Sequence, residues 1–157
     1  MAVNKPYRLG TYGYILDSSK RLLLVQHNSY RDNEWSLPGG GRENGEDALQ
    51  NIYRELSEEL GIHEQDLTLV GVSKQAIQYD FPGEMLRNND PMAAKYAGQR
   101  KDQVVFTCHA SLEESIVMDQ SELKSHMWCP LDKLDSYLLF PGQAQEARRV
   151  LAEFNIV

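Results

Sequence analysis

The chain has 157 residues, of which 25% are charged and 41% are hydrophobic, and its 23 acidic against 16 basic residues give a net charge of −7. This length and composition predict one domain, residues 1–157. The sequence has neither the run of roughly 20 apolar residues needed to cross a membrane nor an apolar export signal, which favours a cytoplasmic protein with no membrane partner. The acidic balance argues against an extended nucleic-acid groove, because such surfaces depend on many lysine and arginine contacts to phosphate.

The first part of the chain is typical of short strands. Two apolar segments, Tyr12–Leu16 and Arg21–Gln26, flank a polar tetrapeptide, a pattern that predicts a strand pair with a short turn. A third short strand is predicted over Trp35–Leu37, where Pro38 and the glycines after it would end it.

The strongest helical signal follows these glycines. Asn44 is a suitable N-cap, Glu46 and Asp47 suit the first turn of a helix, and Gly61 can end it. The apolar residues that recur at helical spacing are Leu49, Ile52, Tyr53, Leu56 and Leu60. This spacing predicts an amphipathic helix with a packing face.

The second half of the chain alternates between strand and loop patterns. Leu67–Tyr79 has β character, and Phe81–Arg100 is rich in proline, glycine, asparagine and charge, which predicts a long loop. Gln103–Ala110 and His126–Pro130 are predicted strands, and Gln143–Phe154 is a predicted amphipathic helix. Strands before, between and after helices indicate a mixed sheet covered by helices, an α/β or α+β sandwich.

Cysteine and histidine give little sign of other chemistry. Cys108 and Cys129 lack CxxC spacing, so we expect reduced packing residues rather than a disulfide or a zinc site. The four histidines form no i, i+4 pair on a predicted helix, which disfavours zinc catalysis.

Three glutamates cluster on the predicted helix. Glu55, Glu58 and Glu59 fall within roughly a 100° arc, next to the apolar face, so their charges repel one another unless a cation lies there. Glutamate-rich helix faces are often simply solvated. Here, however, a glycine-rich turn precedes the helix, and its carbonyl oxygens together with carboxylates are the hard ligands that Mg²⁺ or Mn²⁺ prefers.

The segment from Gly40 to Ile62 resembles the Nudix box at every defined position of that motif. The matching residues are Gly40, Glu46, Arg54, Glu55, Leu56, Glu58, Glu59, Gly61 and Ile62. The resemblance implies a Nudix hydrolase, that is, an αβα sandwich with a mixed sheet between helices. Such an enzyme cleaves a nucleoside diphosphate linked to another group and uses Mg²⁺ or Mn²⁺.

The same resemblance implies roles for individual residues. Glu55, Glu58 and Glu59 would bind metal and act in catalysis, together with a backbone carbonyl from Gly39 or Gly40. Glu46 and Arg54 would instead support the loop and orient Glu55. Which carboxylate takes the proton from the attacking water stays open.

Features outside the box resemble the branch that contains bacterial RNA 5′-pyrophosphohydrolases and dinucleoside polyphosphate hydrolases. They are Tyr79 within Tyr-Asp-Phe-Pro, the opening Tyr7-Arg8, and the stretch Glu122–Trp128, whose glutamate would be a further metal ligand or the base. The chain departs from the branch at Gly39, where glutamine is usual, and it lacks the Trp-Phe that normally follows the segment beginning at Gly98. The preferred base is therefore not predicted.

Candidates for substrate binding are fewer. Arg8 and Arg31 would clamp terminal phosphates, because arginine offers paired donors to phosphate oxygens, although solvated surface charge is the alternative. Tyr79 would stack on a base or bind phosphate, or else simply pack in a strand. Arg87, Arg100 and Lys101 in the long loop could also approach the substrate, although loops of this composition are usually just solvated.

These observations support three hypotheses. The first is removal of phosphates from a 5′-triphosphate RNA end by metal-activated water attack, which leaves a 5′-monophosphate and prepares the transcript for decay. The second is hydrolysis of diadenosine polyphosphate or of a nucleoside triphosphate. The third is a Nudix module that binds nucleotide without catalysis. The sequence also leaves a homodimer open.

Overall fold

The structure, a computed structural model, describes residues 4–109 and 112–157. Its strands are β1 (Tyr7–Leu16), β2 (Arg21–His27), β3 (Gly39–Gly41), β4 (Leu67–Val72), β5 (Ile77–Asp80), β6 (Gly98–Cys108) and β7 (Leu123–Pro130). Its helices are α1 (Ala48–Leu60), α2 (Gly83–Arg87), α3 (Pro91–Lys95), α4 (Leu112–Ser115), α5 (Leu134–Tyr137) and α6 (Gln143–Glu153). None of these helices combines the length and apolarity of a membrane span.

The strands form one mixed sheet. Its order is β4-β6-β1-β2-β7, with β3 paired to β1 and β5 paired to β6. The central strands β1 and β6 are parallel. The other pairs are antiparallel, namely β1 with β2, β1 with β3, β2 with β7, β4 with β6 and β5 with β6. The predicted mixed sheet is therefore confirmed.

A core layer lies on each face of the sheet. Because side chains alternate along a strand, Leu22 and Leu24 of β2 pack in the cluster that contains α6, whereas Leu23 and Val25 pack in the cluster that contains α1. All four side chains are fully buried, and each contributes roughly 1.5–3 kcal/mol of hydrophobic free energy. Helices on both faces give the αβα sandwich that the sequence predicts, with α1 fixed against the sheet.

The strand predicted at Trp35–Leu37 is wrong. Only Ser36 forms a bridge, to Val25, and the strand pairing with β1 falls on Gly39–Gly41 instead. The reason is close approach of the two backbones: a Cβ on Gly39 would lie 2.0 Å from the carbonyl oxygen of Thr11. Glycines that were expected to end a strand therefore form one.

The start of α1 also differs from the prediction. Asp47, not Asn44, is the N-cap, since its carboxylate accepts from the Gln50 amide N–H at 2.8 Å and Gln50 Oε1 accepts from the Asp47 N–H at 3.0 Å. Glu46 therefore precedes the helix instead of lying in its first turn. Gly61 does end the helix, in a left-handed conformation with φ 65°.

The long loop predicted over Phe81–Arg100 is only partly a loop. It contains α2 and α3, the latter capped by Asp90, whose carboxylate accepts from the Met92 N–H at 2.9 Å. Its last residues belong to β6, which begins at Gly98.

The predicted strands Tyr12–Leu16, Arg21–Gln26 and His126–Pro130 lie within β1, β2 and β7. The predicted β segment Leu67–Tyr79 is divided into β4 and β5. The last predicted strand before β7 ends two residues early in β6, with Ala110 outside the described residues, and the last helix ends one residue early, at Glu153.

Candidate active site

A cavity of about 470 Å³ lies where β1, β3, α1, β5 and β6 meet the loop before β7. Its lining contains most of the residues that the sequence analysis selected, namely Arg8, Gly39, Gly40, Glu55, Glu58, Glu59, Tyr79 and Glu122. Three selected residues, Arg31, Glu46 and Arg54, do not line it.

The first wall of the cavity is formed by α1 and β3. Glu55 packs so closely on Gly40 that a Cβ at residue 40 would lie 2.5 Å from the Glu55 carboxyl carbon. Glu58 is exposed, whereas Glu59 is buried with 8% of its surface accessible. One helical turn thus presents carboxylates that range from solvated to buried.

Arg54 lies behind this wall. Its guanidinium donates to both carboxylate oxygens of Glu46, at 2.7 and 3.0 Å, and to the Gly41 carbonyl at 2.9 Å. It also donates to Glu55 and Glu58, each at 3.1 Å. The hydrogen bonds from Arg54 lower the pKa of Glu46. Arg54 therefore connects the loop before α1 to two glutamates of the cavity.

A second connection between β3 and α1 was not predicted. Asn51 is fully buried; its amide donates to the Gly41 carbonyl at 3.0 Å, and its oxygen accepts from the Thr11 hydroxyl at 2.7 Å. Asn51 occupies a variable position of the Nudix box, so the motif does not mark it. The sequence signal was its place on the apolar side of the helix, where a polar residue needs a partner.

Glu59 has an unusual electrostatic environment. Burial, followed by repulsion from Glu55, raises its pKa to about 8. Its Oε2 atom is buried and has no hydrogen-bond partner among the described residues. A buried carboxylate oxygen without a donor is costly, and a divalent cation would satisfy it, so this donor set fits the metal that the sequence predicts.

A histidine joins the carboxylates. His27, Glu59 and Glu122 each offer one ligand atom, and these atoms lie within 4.8 Å of one another. Burial lowers the pKa of His27, which favours the neutral ring with a free lone pair. The three residues come from β2, α1 and the loop before β7, so no local spacing in the sequence could reveal the group.

The opposite side of the cavity is cationic. The Arg8 guanidinium lies over Gly41, where a Cβ would be 2.2 Å from Nη2. For Lys101 the sequence left open a solvated loop charge or a residue near the substrate, and the solvated alternative is wrong. Lys101 lies within β6, is 8% exposed, and places its ammonium 4.1 Å from the centroid of the Tyr12 ring. Burial and the nearby Arg8 lower the pKa of Lys101 to about 8.

Tyr79 and Arg31, both predicted to bind substrate, differ in their position relative to the cavity. Tyr79 lines the cavity from β5 and is 38% exposed, so one part of its ring is available to a ligand. Arg31 is an exposed loop residue whose backbone N–H donates to Glu34 at 2.7 Å. Further polar residues of the cavity, which the sequence analysis did not select, are Tyr12, Tyr30, Ser36, Gln99 and Asp119.

The arrangement has a defined chemical capacity. Glu55, Glu58, Glu59 and Glu122 supply hard oxygen ligands on one side, and Arg8 and Lys101 supply positive charge on the other. A ligand that suits both sides is an anion bound together with a divalent cation. A polyphosphate with Mg²⁺ or Mn²⁺ has this character.

Comparison with known proteins agrees with this reading of the cavity. The family model described as NUDIX domain matches residues 6–154. An RNA pyrophosphohydrolase of Francisella tularensis subsp. mediasiatica is 31% identical over 86 residues, which are 55% of this chain and 54% of that protein. This alignment thus spans about half the length of the relative.

Two further similarities extend over more of the chain. An RNA pyrophosphohydrolase of Legionella pneumophila is 27% identical over 138 residues, 85% of this chain and 75% of that protein. The crystal structure of a C. elegans Ap4A hydrolase binary complex superposes with a TM-score of 0.71 at 18% identity, covering 93% of this chain and 96% of that one, which shows the shared fold. Since the NUDIX model covers nearly the whole chain, the chain belongs to the Nudix hydrolase family.

Proposed function

We propose that this protein is a Nudix pyrophosphohydrolase that converts 5′-triphosphate RNA ends to 5′-monophosphate ends. The observation that carries the proposal is that four glutamates face two cationic side chains across the same cavity. A phosphoanhydride bound there would have its phosphate oxygens near positive charge and its bridging bond near the carboxylates. The similarity to proteins named RNA pyrophosphohydrolase supports the choice of substrate.

The glutamates form the metal-binding side of the site. Glu55, Glu58, Glu59 and Glu122 would hold Mg²⁺ or Mn²⁺, with a backbone carbonyl of Gly39 or Gly40. When bound, such an ion neutralises charge on phosphate oxygens and lowers the pKa of water. Because Arg54 hydrogen-bonds Glu46, Glu55 and Glu58 together, it would keep the glutamates in place through each reaction cycle.

Proton transfer needs a further carboxylate near the attacking water. Glu59 and Glu122 approach the same point as His27, so either one could accept this proton. Neutral His27 would position the water or the carboxylate by a hydrogen bond. The sequence leaves the base open, and comparison of Glu59→Gln with Glu122→Gln, through their pH–rate profiles, decides between them.

The cationic side would bind the phosphates of the substrate. Arg8, directed into the cavity from β1, would hold a terminal phosphate through paired N–H donors. Tyr79 is exposed at the same cavity and would stack on the first base or contact phosphate. Arg31 would contribute only to a longer substrate that extends beyond the cavity.

A second candidate function is hydrolysis of diadenosine tetraphosphate or free nucleoside triphosphates. It is favoured by the net charge of −7, because an acidic surface disfavours the body of an RNA more than a small nucleotide. Both candidates use the same chemistry, and they differ in what lies beyond the first nucleotide.

The test compares these substrates directly. Purified protein with Mg²⁺ or Mn²⁺ is incubated with 5′-triphosphate RNA, diadenosine tetraphosphate and nucleoside triphosphates, and kcat/KM is measured for each. We expect 5′-monophosphate RNA and the largest kcat/KM for RNA. Glu59→Gln should lose most of this activity, and the exposed Glu64→Gln serves as the matched control. Intact RNA ends alongside rapid nucleotide cleavage would reject the RNA assignment.

A further inference from the structure

We propose that Lys101 is a second phosphate-binding residue, which with Arg8 forms a two-cation subsite for the polyphosphate chain of the substrate. The proposal rests on the proposed function, because it takes the ligand of the same cavity to be a polyphosphate. Lys101 lies outside the Nudix box, in the segment from Gly98 that matches the branch pattern only in part, and the sequence assigned it no definite role.

Burial is the first argument. Lys101 is 8% exposed in the middle of β6, and a buried lysine is costly unless it is paired with an anion. Among residues 4–109 and 112–157, no carboxylate oxygen lies within 4.0 Å of its ammonium, and no acceptor hydrogen-bonds it. Its contact is the ring of Tyr12, at 4.1 Å from the centroid. Its donors are therefore available to a ligand in the cavity.

Strand geometry is the second argument. The parallel register pairs Arg8 with Gln99 and Gly10 with Lys101. Arg8 and Lys101 therefore lie on adjacent strands, offset by two residues, which places their side chains on the same face of the sheet. All three polar side chains, Arg8, Gln99 and Lys101, line the same cavity. Asp102 follows Lys101 and forms an ion pair with Arg42 instead, since alternate side chains of a strand point to opposite faces. The charge of Lys101 thus stays in the cavity.

The carboxylates of the cavity are not an equivalent partner for Lys101. Glu55 and Glu59 line the cavity too, but neither comes within the 4.0 Å of an ion pair with its ammonium. When these glutamates bind a divalent cation, their charge is neutralised, and Lys101 remains beside Arg8 with no anion. A phosphate group between the two cations removes their mutual repulsion and accepts hydrogen bonds from both.

The experiment measures binding of a phosphate anion apart from turnover. Inorganic pyrophosphate is titrated calorimetrically into wild type, Lys101→Met and Lys101→Arg, with Mg²⁺ in excess. We expect Lys101→Met to weaken binding by about tenfold or more, and Lys101→Arg to stay within a few-fold of wild type. Lys133→Met, an exposed lysine outside the cavity, is the matched control and should bind as wild type.

Binding of Mn²⁺ alone, measured in the same variants, separates this role from a role at the glutamates. Lys101→Met should bind Mn²⁺ at least as tightly as wild type, because a nearby positive charge has been removed. Weaker Mn²⁺ binding, unchanged pyrophosphate affinity in Lys101→Met, or absent pyrophosphate binding in wild type would each overturn the proposal. If Lys101→Met does not fold, Lys101→Gln takes its place with the same expected loss.

Kinetics distinguish this proposal from the proposed function. With 5′-triphosphate RNA, Lys101→Met should raise KM at least as much as it lowers kcat, since the residue holds phosphate in the bound substrate. A wild-type protein that binds pyrophosphate through Lys101 but leaves RNA ends intact would reject the RNA substrate and retain the Lys101 site.

Discussion

Gly40 and Glu55 are in such close contact that residue 40 has no room for a side chain. A Cβ there would lie 2.5 to 2.7 Å from the carboxyl carbon and both carboxylate oxygens of Glu55. The glycine of the Nudix box therefore sets the position of the first glutamate of the cavity, and the backbone of β3 and the helix α1 act as one unit.

Gly40→Ala should accordingly move the Glu55 carboxylate while leaving the fold intact. Catalysis depends on the position of metal ligands at the scale of 1 Å, so we expect kcat/KM to fall by about 100-fold. The change in stability should be small, because Glu55 can turn toward the cavity. Steady-state kinetics and thermal unfolding are the measurements. Gly83→Ala, where only the flexible end of Arg87 is near, is the control. Near-normal activity of Gly40→Ala would contradict the assignment of Glu55.

The bidentate pair of Arg54 and Glu46 should contribute measurably to stability. The Arg54 side chain is 21% exposed and that of Glu46 is 15% exposed, so solvent screens the pair only partly. Arg54→Lys keeps the charge but loses the paired geometry and the bond to the Gly41 carbonyl, and we expect a loss of about 2 kcal/mol in the free energy of unfolding.

Urea denaturation of the single and double variants of Arg54 and Glu46 measures this coupling. Arg148→Lys is the matched control, since its ion pair with Asp135 is largely exposed and should contribute less than about 0.5 kcal/mol. Equal effects of Arg54→Lys and Arg148→Lys would show that Arg54 does not support the site through its hydrogen bonds.

Patterns within one element could be predicted from the sequence. The continuous apolar run of β2 and the helical spacing in α1 are local, and the Nudix box places Glu55, Glu58 and Glu59 on one helical turn. These predictions depend on side chains that are close in sequence. They succeeded for the mixed sheet and for the family.

Relationships between distant elements could not be predicted in this way. His27 approaches Glu59 and Glu122 only because β2, α1 and the loop before β7 meet at one end of the sheet. Lys101 was misplaced for a related reason: charge and glycine near Gly98 resemble a loop, whereas the parallel partner β1 extends β6 through this segment. Tertiary pairing determined both positions.

The corrected start of α1 gives a further prediction. Asp47→Ala removes the hydrogen bond to the Gln50 N–H and should cost about 1 kcal/mol of stability, as N-cap substitutions do. Asn44→Ala should change stability by less than about 0.5 kcal/mol, since Asn44 is exposed and lies before the cap. Chemical denaturation of both variants is the measurement, and a larger effect at Asn44 would restore the original assignment.

The raised pKa of Glu59 predicts how the stability of the metal-free protein depends on pH. In the unfolded chain this carboxyl titrates near 4.5, whereas in the folded protein its pKa is about 8. Between these values the folded state holds a proton that the unfolded state has lost. The stability from this group is therefore present at low pH and is lost as pH rises to about 8.

Glu59→Gln removes this titration, so the free energy of unfolding should depend on pH less steeply in the variant than in wild type. In EDTA, wild type should lose roughly 3 kcal/mol more than Glu59→Gln between about pH 5 and about pH 8, measured by urea denaturation. The lowered pKa of His27 acts in the opposite direction but is present in both proteins, so the difference reports Glu59. Added Mg²⁺ should restore the stability of wild type at about pH 8 and not that of Glu59→Gln, because the ion binds the ionised carboxylate. If the free energy of unfolding depends on pH in the same way in wild type and Glu59→Gln in EDTA, Glu59 is not the buried, metal-binding carboxylate of this site.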